Sequence, residues 1–269
     1  MVWIILLNII PMPGLANPPM LPAPSLRKKA RNCPEVSLRR DSENVFEPTS
    51  TPNPWNADWT IEGVIRTLEP LVSDKRRERL RQVVEARIES VTVLLDAPRD
   101  PHNAAAVLRT CDAFGIQQLH VVPSPDGFVA ASNITTGAER WVDTIRHETQ
   151  SDAIRYLRRG GYELLATHPM GELVPSDLAR FARFALVMGN EHEGIRSELA
   201  GAADARVRVP MRGFVESLNL SVCAAVLLKA ATERRQGDLA PTERRRLYAR
   251  WLVQSVSRAD EILSSLAPL

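Results

Sequence analysis

The sequence has little cysteine and little net charge. Its three cysteines, Cys33, Cys111 and Cys223, form no CxxC or CxxH spacing, which argues against a disulfide framework and a zinc motif. Free thiols suit a reducing cytoplasm, and Cys111 and Cys223 fall on apolar helix faces typical of core residues. A net charge of only +2 gives no global attraction to a polyanion, so the distribution of charge matters more than its sum.

The N-terminal part lacks an apolar run long enough to span a bilayer. The run Val2–Ile10 is too short, and as a signal peptide it would lack a preceding basic residue and have a poor cleavage site after Ala16. Ten of the chain's 20 prolines lie before Trp55. We therefore expect residues 1–55 to be a disordered extension, or to follow a start codon placed too far upstream, of a cytoplasmic protein.

Helices and strands alternate along the rest of the chain. Apolar residues at helical spacing predict a helical extension over residues 56–90. Beyond it the strands are predicted at Val91–Leu95, Leu119–Val122, Glu163–Thr167, Ala185–Met188 and Arg206–Val209. The helices are predicted at Ala104–Phe114, Ser151–Arg159, Ser217–Arg235 and Thr242–Leu263. This order predicts an α/β core with a mostly parallel sheet over residues 91–235, followed by a C-terminal helical extension over residues 236–269.

Two of the predicted strands end in glycine-containing turns. Phe184–Met188 runs into Gly189–Gly194, and Val207–Met211 runs into Pro210–Phe214. Ser217-Leu218-Asn219 then opens a helix rich in small residues. Two strand ends, two glycine turns and one helix start can build a ligand pocket, because glycine lets a ligand approach the main chain closely.

Arg109 is the side chain that stands out in the first core helix. It projects nearly opposite the apolar side of the helix, beside Ala105 and Ala106, where a ligand could approach it closely. The alternative is an exposed arginine that pairs with Asp112. Asn103 is predicted to cap this helix, and Gly115 to end it.

Several kinds of site are disfavoured by the motifs. His192 lies between Glu191 and Glu193, but neighbouring side chains in a turn do not converge easily on one metal ion. The chain has neither the GxxxxGK[ST] phosphate loop nor a GxGxxG fingerprint. Ser217 with His168 or His192 could suggest a hydrolase, but the G-x-S-x-G elbow is absent.

Three segments resemble the motifs of the SPOUT-class RNA ribose methyltransferases. They are DPHNAAAVLRTCDA from Asp100, VMGNEHEGI from Val187 and VPMRGFVESLNLSVCAAVLL from Val209. The resemblance covers about residues 60–262 and is strongest to the TrmH branch, which methylates the 2′-oxygen of guanosine 18 in the D-loop of tRNA. Helical extensions on both sides of the core are also similar to that branch.

The resemblance implies a fold, a cofactor and a partner. It implies a C-terminal trefoil knot that binds S-adenosylmethionine, with no metal, and a homodimer in which each subunit completes the other's site. The implied cofactor contacts are Thr167, Gly189, Val209, Met211 and Leu218. The implied catalytic set is Arg109, Asn103, Glu191, Ser217 and Asn219.

Within that set, Arg109 is expected to be the catalytic residue. A 2′-hydroxyl is a poor nucleophile until its proton is removed or shared. Arginine stays protonated in proteins, so we favour an Arg109 that orients the ribose and an adjacent phosphate, which helps to take the proton. Asn103 and Asn219 would position Arg109 and the pocket turns, and Glu191 would anchor its loop.

Basic residues in both extensions are candidates for binding the RNA backbone. Between Lys229 and Arg258 there are eight Lys or Arg residues against three Asp or Glu residues. Arginines of this kind bind phosphates, although each could equally belong to a solvated helix face. The predicted RNA-binding residues are Arg76, Arg77, Arg234, Arg235, Arg244 and Arg245. Weaker candidates are Arg140 and Trp141.

The same resemblance leaves two alternatives open. One is a 2′-O-methyltransferase for ribosomal RNA, which the lack of a separate RNA-binding domain before Val91 disfavours. The other is a non-catalytic RNA-binding protein of the same fold, which the intact set of Asn103, Arg109, Ser217 and Asn219 disfavours.

Overall fold

The computed structural model describes residues 53–124, 137–190 and 192–266, which all fall in one compact unit. The expectation for residues 1–55 therefore lies almost wholly outside the described residues. None of the described helices is long and apolar enough to cross a membrane.

A six-stranded sheet forms the centre of the described unit. Its strands are β1 (Val91–Asp96), β2 (Gln118–Val122), β3 (Asp143–Arg146), β4 (Glu163–Thr167), β5 (Phe184–Met188) and β6 (Ala205–Val207). Their order is β3-β2-β1-β5-β4-β6, and every neighbouring pair is parallel. The prediction of an α/β core with a mostly parallel sheet is confirmed. The trefoil knot stays a prediction.

Helices cover both faces of the sheet. The core helices are α3 (Pro101–Ala113), α4 (Gln150–Arg159), α5 (Ser197–Ala202) and α6 (Leu220–Thr232). Helices α3 and α6 pack on one face, where Val107 and Leu227 are fully buried. Helices α4 and α5 pack on the other face, where Leu157 and Leu199 are fully buried. Burial on both faces explains why β5 is a continuous apolar run and why β1, apart from Thr92 and Asp96, is apolar as well rather than alternating.

Two details of these elements differ from the sequence predictions. Strand β3 was not predicted, because Asp143–Arg146 is a polar edge strand that exposes alternate residues. Helix α3 begins three residues earlier than predicted: Asp100 is its N-cap and accepts from the main-chain N–H of His102 at 2.8 Å. Asn103 therefore lies inside the helix. Gly115 follows the end of α3 with a φ of +77°, as predicted.

The two helical extensions share one apolar core. Helices α1 (Ile61–Leu68) and α2 (Asp74–Glu85) pack against α7 (Pro241–Ser255) and α8 (Ala259–Ser265). Short 3₁₀ helices lie at Glu69–Leu71, Ala138–Arg140 and Pro175–Arg180. Segments far apart in sequence thus form one helical layer.

The single helix predicted over Thr242–Leu263 is wrong, because the chain breaks into α7 and α8. Val256 is extended and Arg258 has a φ of +59°. The break lets α8 turn back on α1, where the indole of Trp59 donates to the carbonyl oxygen of Leu263 at 3.1 Å. Helix α6 is likewise shorter than the predicted Ser217–Arg235, since Asn219 is its N-cap.

Arg87 joins the helical layer to the α/β core. Its guanidinium is 1% exposed, ion-pairs with Asp112 at 2.5 Å and lies 5.1 Å from the ring centroid of Trp251. Arg250 on α7 makes a second ion pair across the same junction, with Asp143 of β3. Removing one partner of a buried pair costs about 3–5 kcal/mol, so these arginines hold the two layers together.

A buried histidine pair lies between β2 and the end of β3. His120 Nδ1 and His147 Nε2 are 2.9 Å apart, and both rings contact the ring of Tyr156 on α4. Burial, and to a smaller extent the neighbouring His147, lowers the pKa of His120 to about 3. Burial also lowers the pKa of His147, against the opposing effect of Asp152. Both rings are therefore neutral in the folded protein.

This pair predicts an acid-sensitive fold. In the unfolded chain both histidines take up protons below a pKa of about 6.5, whereas the folded protein resists protonation until much lower pH. The free energy of unfolding should therefore fall between pH 7.5 and pH 5.5, by up to about 1.4 kcal/mol per pH unit for each histidine. Urea unfolding at both pH values measures this slope.

The double variant His120→Leu/His147→Leu should lose most of this pH dependence. The matched control is His168→Leu, because His168 is an exposed histidine and should leave the slope unchanged. An unchanged slope in the double variant would contradict the assignment.

Candidate functional site

A cavity of about 530 Å³ lies at the carboxyl edge of the sheet. It is bounded by the ends of β4, β5 and β6 and by the segment that leads into α6. Ligands of parallel α/β proteins bind outside the carboxyl ends of the strands, and this volume is that of a small-molecule site. Its lining is Thr167, His168, Pro169, Met188, Gly189, Asn190, Gly194, Ile195, Val207, Arg208, Val209, Met211, Glu216, Ser217, Leu218, Asn219, Leu220 and Cys223.

The turn after β5 is closed on itself. Asn190 and Gly194 form an antiparallel bridge, with main-chain hydrogen bonds of 3.1 and 3.2 Å. The Asn190 side-chain oxygen also accepts from the main-chain N–H groups of His192 and Glu193, at 2.9 and 2.7 Å. This rigid turn presents main chain to the cavity, as the glycine-rich sequence indicated.

Gly189 makes the close approach within this turn. A Cβ atom built at Gly189 would lie 2.0 Å from the carbonyl carbon of Gly194 and 2.3 Å from the nitrogen of Ile195. Contacts this short are with main chain and cannot be relieved by a side-chain rotation. Glycine is therefore required here for packing within the turn.

The five residues that were expected to contact a cofactor all line this cavity. They are Thr167, Gly189, Val209, Met211 and Leu218. Ser217 and Asn219 line it too, so the second and third motifs meet at one place. Glu191 lies outside the described residues. Asn190, Glu216 and Cys223 also line the cavity and were not among the predicted contacts. The Asn-Glu-His-Glu-Gly sequence was a signal for Asn190, because asparagine side chains cap turns of this kind.

Asn219 connects the cavity to the first motif. Its side-chain nitrogen donates to Asn103 Oδ1 at 3.0 Å, and its oxygen caps α6 by accepting from the N–H of Ser221 at 2.9 Å. The two asparagines are 116 residues apart in the sequence. The bond fixes the start of α6 against α3, which carries Arg109.

Arg109 itself lies apart from the cavity of its own chain. It is exposed on α3 and is not among the described residues that line the cavity. Ala105 and Ala106, four and three residues before it on the helix, are half-buried.

Cys223 is a cavity residue without the properties of a nucleophile. Burial raises the pKa of its thiol to about 11. A thiol is nucleophilic as the thiolate, so Cys223 is a packing residue of the cavity wall at neutral pH.

The expected RNA-binding arginines mostly lie on the helical layer. Arg76 lies 5.1 Å from the ring centroid of Trp141. Arg244 pairs with Glu85 at 2.5 Å, and Arg245 pairs with Glu62 at 2.8 Å. Arg234 follows α6 and is exposed. Arg77 forms an ion pair with Asp74, one turn earlier on the exposed side of α2. Surface pairs of this kind contribute about 0–1 kcal/mol, so a phosphate can compete for such arginines.

Arg235 differs from this group. Its guanidinium donates to the carbonyl oxygens of Ala231 and Ala182 at 3.0 and 2.9 Å, and to Ser90 Oγ at 3.0 Å. It also donates to the carbonyl oxygen of Phe181. The side chain thus ties α6 to the segment before β5, and a contact of Arg235 with RNA stays a prediction.

Residues 90–229 match the SpoU rRNA Methylase family. The tRNA (guanosine(18)-2'-O)-methyltransferase of Thermus thermophilus is 36% identical over 170 residues, which cover 61% of this chain and 84% of that protein. The Escherichia coli protein of the same name is 33% identical over 162 residues, which cover 60% of this chain and 71% of that protein.

A solved structure is similar to about two thirds of this chain. It is the crystal structure of a TrmH/SpoU tRNA modifying enzyme from A. aeolicus, with a TM-score of 0.61 and 28% sequence identity. The match covers 69% of this chain and 98% of the other.

The geometry of Gly189 predicts a position-specific effect of an added methyl group. Gly189→Ala should open the turn and lower the free energy of unfolding by about 3 kcal/mol, because main chain must move. The matched control is Gly213→Ala, since a Cβ atom at Gly213 would meet no atom within 4 Å. Thermal unfolding of both variants measures the difference. Equal stability of the two variants would contradict this account of the turn.

Proposed function

The chain belongs to the SpoU rRNA methylase family, and we propose that it methylates the 2′-oxygen of guanosine 18 in the D-loop of tRNA. The supporting observation is the cavity at the carboxyl edge of the sheet, in which the second and third motifs meet. Two relatives whose names specify guanosine 18 of tRNA are 33% and 36% identical to this chain. The proposed location is the cytoplasm, because the proposed substrate is tRNA.

We propose S-adenosylmethionine as the occupant of the cavity. The fit rests on the required glycine at Gly189, which brings main chain to the cavity wall, and on the apolar side chains of Val209, Met211 and Leu218. Main-chain polar groups between apolar walls suit a flat adenine ring, which needs hydrogen bonds along its edge and contact on its faces. Thr167 and Ser217 add hydroxyl groups at the rim. The bound cofactor supplies an electrophilic methyl group.

The side chains of the chain have separate tasks in this reaction. Arg109, which stays protonated, would hold the ribose and the adjacent phosphate by charge-assisted hydrogen bonds. In the proposed transfer the 2′-oxygen would gain the methyl group from the sulfonium sulfur, which would leave as the thioether of S-adenosylhomocysteine, and it would lose its proton to the phosphate oxygen that Arg109 would hold. The Asn103–Asn219 bond keeps α3 and the cavity in register. Glu191 is proposed to anchor the turn after β5.

A homodimer would bring Arg109 to the cavity. Arg109 does not line the cavity of its own chain, and an apolar face lies beside α3 on α6 and the turn before it. Phe214, Val215, Val222 and Val226 are exposed on this face by 107%, 63%, 48% and 38%. A second copy of this chain is the proposed occupant, so that Arg109 of one subunit completes the cavity of the other.

The remaining tRNA contacts are assigned to the helical layer. Arg76, Arg77, Arg244 and Arg245 lie on helices α2 and α7, and Arg234 lies after α6. They would bind phosphates without reading sequence, which gives an affinity that falls as salt is raised.

The proposed reaction predicts a specific product. Incubation of unmodified tRNA with the protein and S-adenosylmethionine should yield 2′-O-methylguanosine at position 18, measured by mass spectrometry of nucleosides and fragments. Arg109→Ala should lower turnover at least about 100-fold, because it removes the group that orients the reacting atoms. It should keep tRNA affinity within about two-fold, since one contact among many is lost.

The control for that experiment is Arg159→Ala, which changes an arginine at the end of α4, on the opposite face of the sheet. It should retain turnover. Methylation of ribosomal RNA but not of tRNA would favour the ribosomal alternative. If neither the wild type nor Arg109→Ala methylates RNA while both bind tRNA, the result would favour a non-catalytic RNA-binding protein.

The proposed dimer predicts that one charge on the apolar face separates the subunits. Val222→Glu should shift the protein from dimer to monomer in sedimentation experiments and abolish methylation, because a buried unpaired carboxylate is costly. Leu71→Glu is the matched control, since Leu71 is also apolar and exposed but lies on the helical layer. A wild-type monomer with full activity would refute the dimer.

A further inference from the structure

A buried carboxylate binds the segment that follows the turn after β5. Asp96, the last residue of β1, has a side chain that is 0% exposed. Its Oδ2 accepts from the main-chain N–H of Arg196 at 2.8 Å and from Gln150 Nε2 at 3.2 Å. Its Oδ1 accepts from Arg196 Nε at 2.8 Å and from Arg196 Nη2. Both oxygens are therefore occupied, and three separate segments of the chain meet at one side chain.

Arg196 directly follows a wall of the cavity. Gly194 and Ile195 line the cavity, and Arg196 is the next residue, before α5 begins at Ser197. Because Asp96 binds both the main chain and the side chain of Arg196, it fixes the position and the orientation of this backbone. Since Gly194 is bridged to Asn190, the contacts of Asp96 with Arg196 also restrain the two ends of the turn after β5.

A second ion pair joins the same two segments. Arg99 Nη2 donates to Glu193 Oε1 at 2.7 Å, so the loop after β1 is bound to the turn after β5 on the exposed side as well. The loop after β1, between Asp96 and Arg99, contains Ala97, a buried alanine with a φ of +51°. Such a backbone is strained in an alanine, and it persists only when the surroundings enforce it.

We propose that Asp96 and Arg196 are positioning residues for the methyl-donor cavity. They hold the turn that lines it at a fixed distance from the loop that leads into α3. This inference rests on the proposed function, because it assigns the pair to binding of the cofactor rather than to stability alone. Neither residue lines the cavity, so each acts through the backbone from Gly189 to Ile195.

The chain offers a matched control pair. Arg158 and Asp204 form a two-pronged ion pair at 2.5 and 2.9 Å, and Asp204 also accepts from the main-chain N–H of Leu164 at 2.7 Å. Leu164 lies near the start of β4, at the opposite edge of the sheet from the cavity. Each pair joins an arginine to an aspartate that also accepts from a main-chain N–H, whereas the two pairs differ in place, and Asp204 is 35% exposed where Asp96 is fully buried.

Calorimetric titration with S-adenosylhomocysteine separates positioning from stability. Arg196→Gln and Asp96→Asn should raise the Kd for this ligand about ten-fold, because a displaced turn no longer matches it. Arg158→Gln and Asp204→Asn should leave the Kd within about two-fold, although they lower the thermal midpoint. Arg196→Lys, which keeps the charge, should recover part of the affinity and guards against a variant that fails to fold.

The steady-state constants provide a second readout. In Arg196→Gln the KM for S-adenosylmethionine should rise about ten-fold, while the KM for tRNA stays within about two-fold. An unchanged cofactor Kd in Arg196→Gln and Arg196→Lys, or an equal rise in the Arg158 and Asp204 variants, would overturn the proposal. A wild-type protein that binds no S-adenosylhomocysteine would overturn the proposed function and this inference together. Normal binding by wild type and by Arg196→Gln would overturn the inference alone.

Discussion

Six strands that all run in one direction place their carboxyl ends along one edge of the sheet, and the candidate site is built at this edge. The turn after β5, the end of β6 and the start of α6 are distant in sequence, yet parallel pairing brings them together. The same edge holds Asp96, at the end of β1 beside β5. Methyl transfer needs its reacting groups held to within a fraction of an ångström of the productive geometry. A sheet that is closely packed on both faces is rigid enough to hold them there.

Much of the fold could be predicted because local patterns agreed with the final structure. The apolar runs of β1 and β5 and the glycine turn after β5 were visible in the sequence. The cap of α3 was placed wrongly because Asp100 and Asn103 are both good capping residues, and only the tertiary fold selects between them. Strand β3 was missed because its polar edge carries no apolar pattern. The break between α7 and α8 lets α8 pack against α1, and no local sequence pattern indicates this long-range contact.

The site shows the same division. The second and third motifs were predicted to form one pocket from the sequence, and they do meet at one cavity, while the roles of their residues stay predictions. The sequence around Arg235 does not distinguish it from the other basic residues, because no local pattern indicates the main-chain carbonyl groups that it binds. The pair of Asp96 with Arg196 spans 100 residues and could not be inferred either. Contacts of this kind are set by topology, so they become visible only in three dimensions.

The helical layer joins segments from both ends of the described chain, and this arrangement has a consequence for synthesis on the ribosome. Helices α1 and α2 are synthesised first. The apolar side chains of Trp59, Val64 and Leu68 can be buried only after α7 and α8, which pack against them, have been synthesised. Until then an apolar surface stays open to solvent while the whole α/β core is translated between them. A nascent chain of this kind is exposed to aggregation, so its folding yield should depend on chaperones and on the speed of elongation.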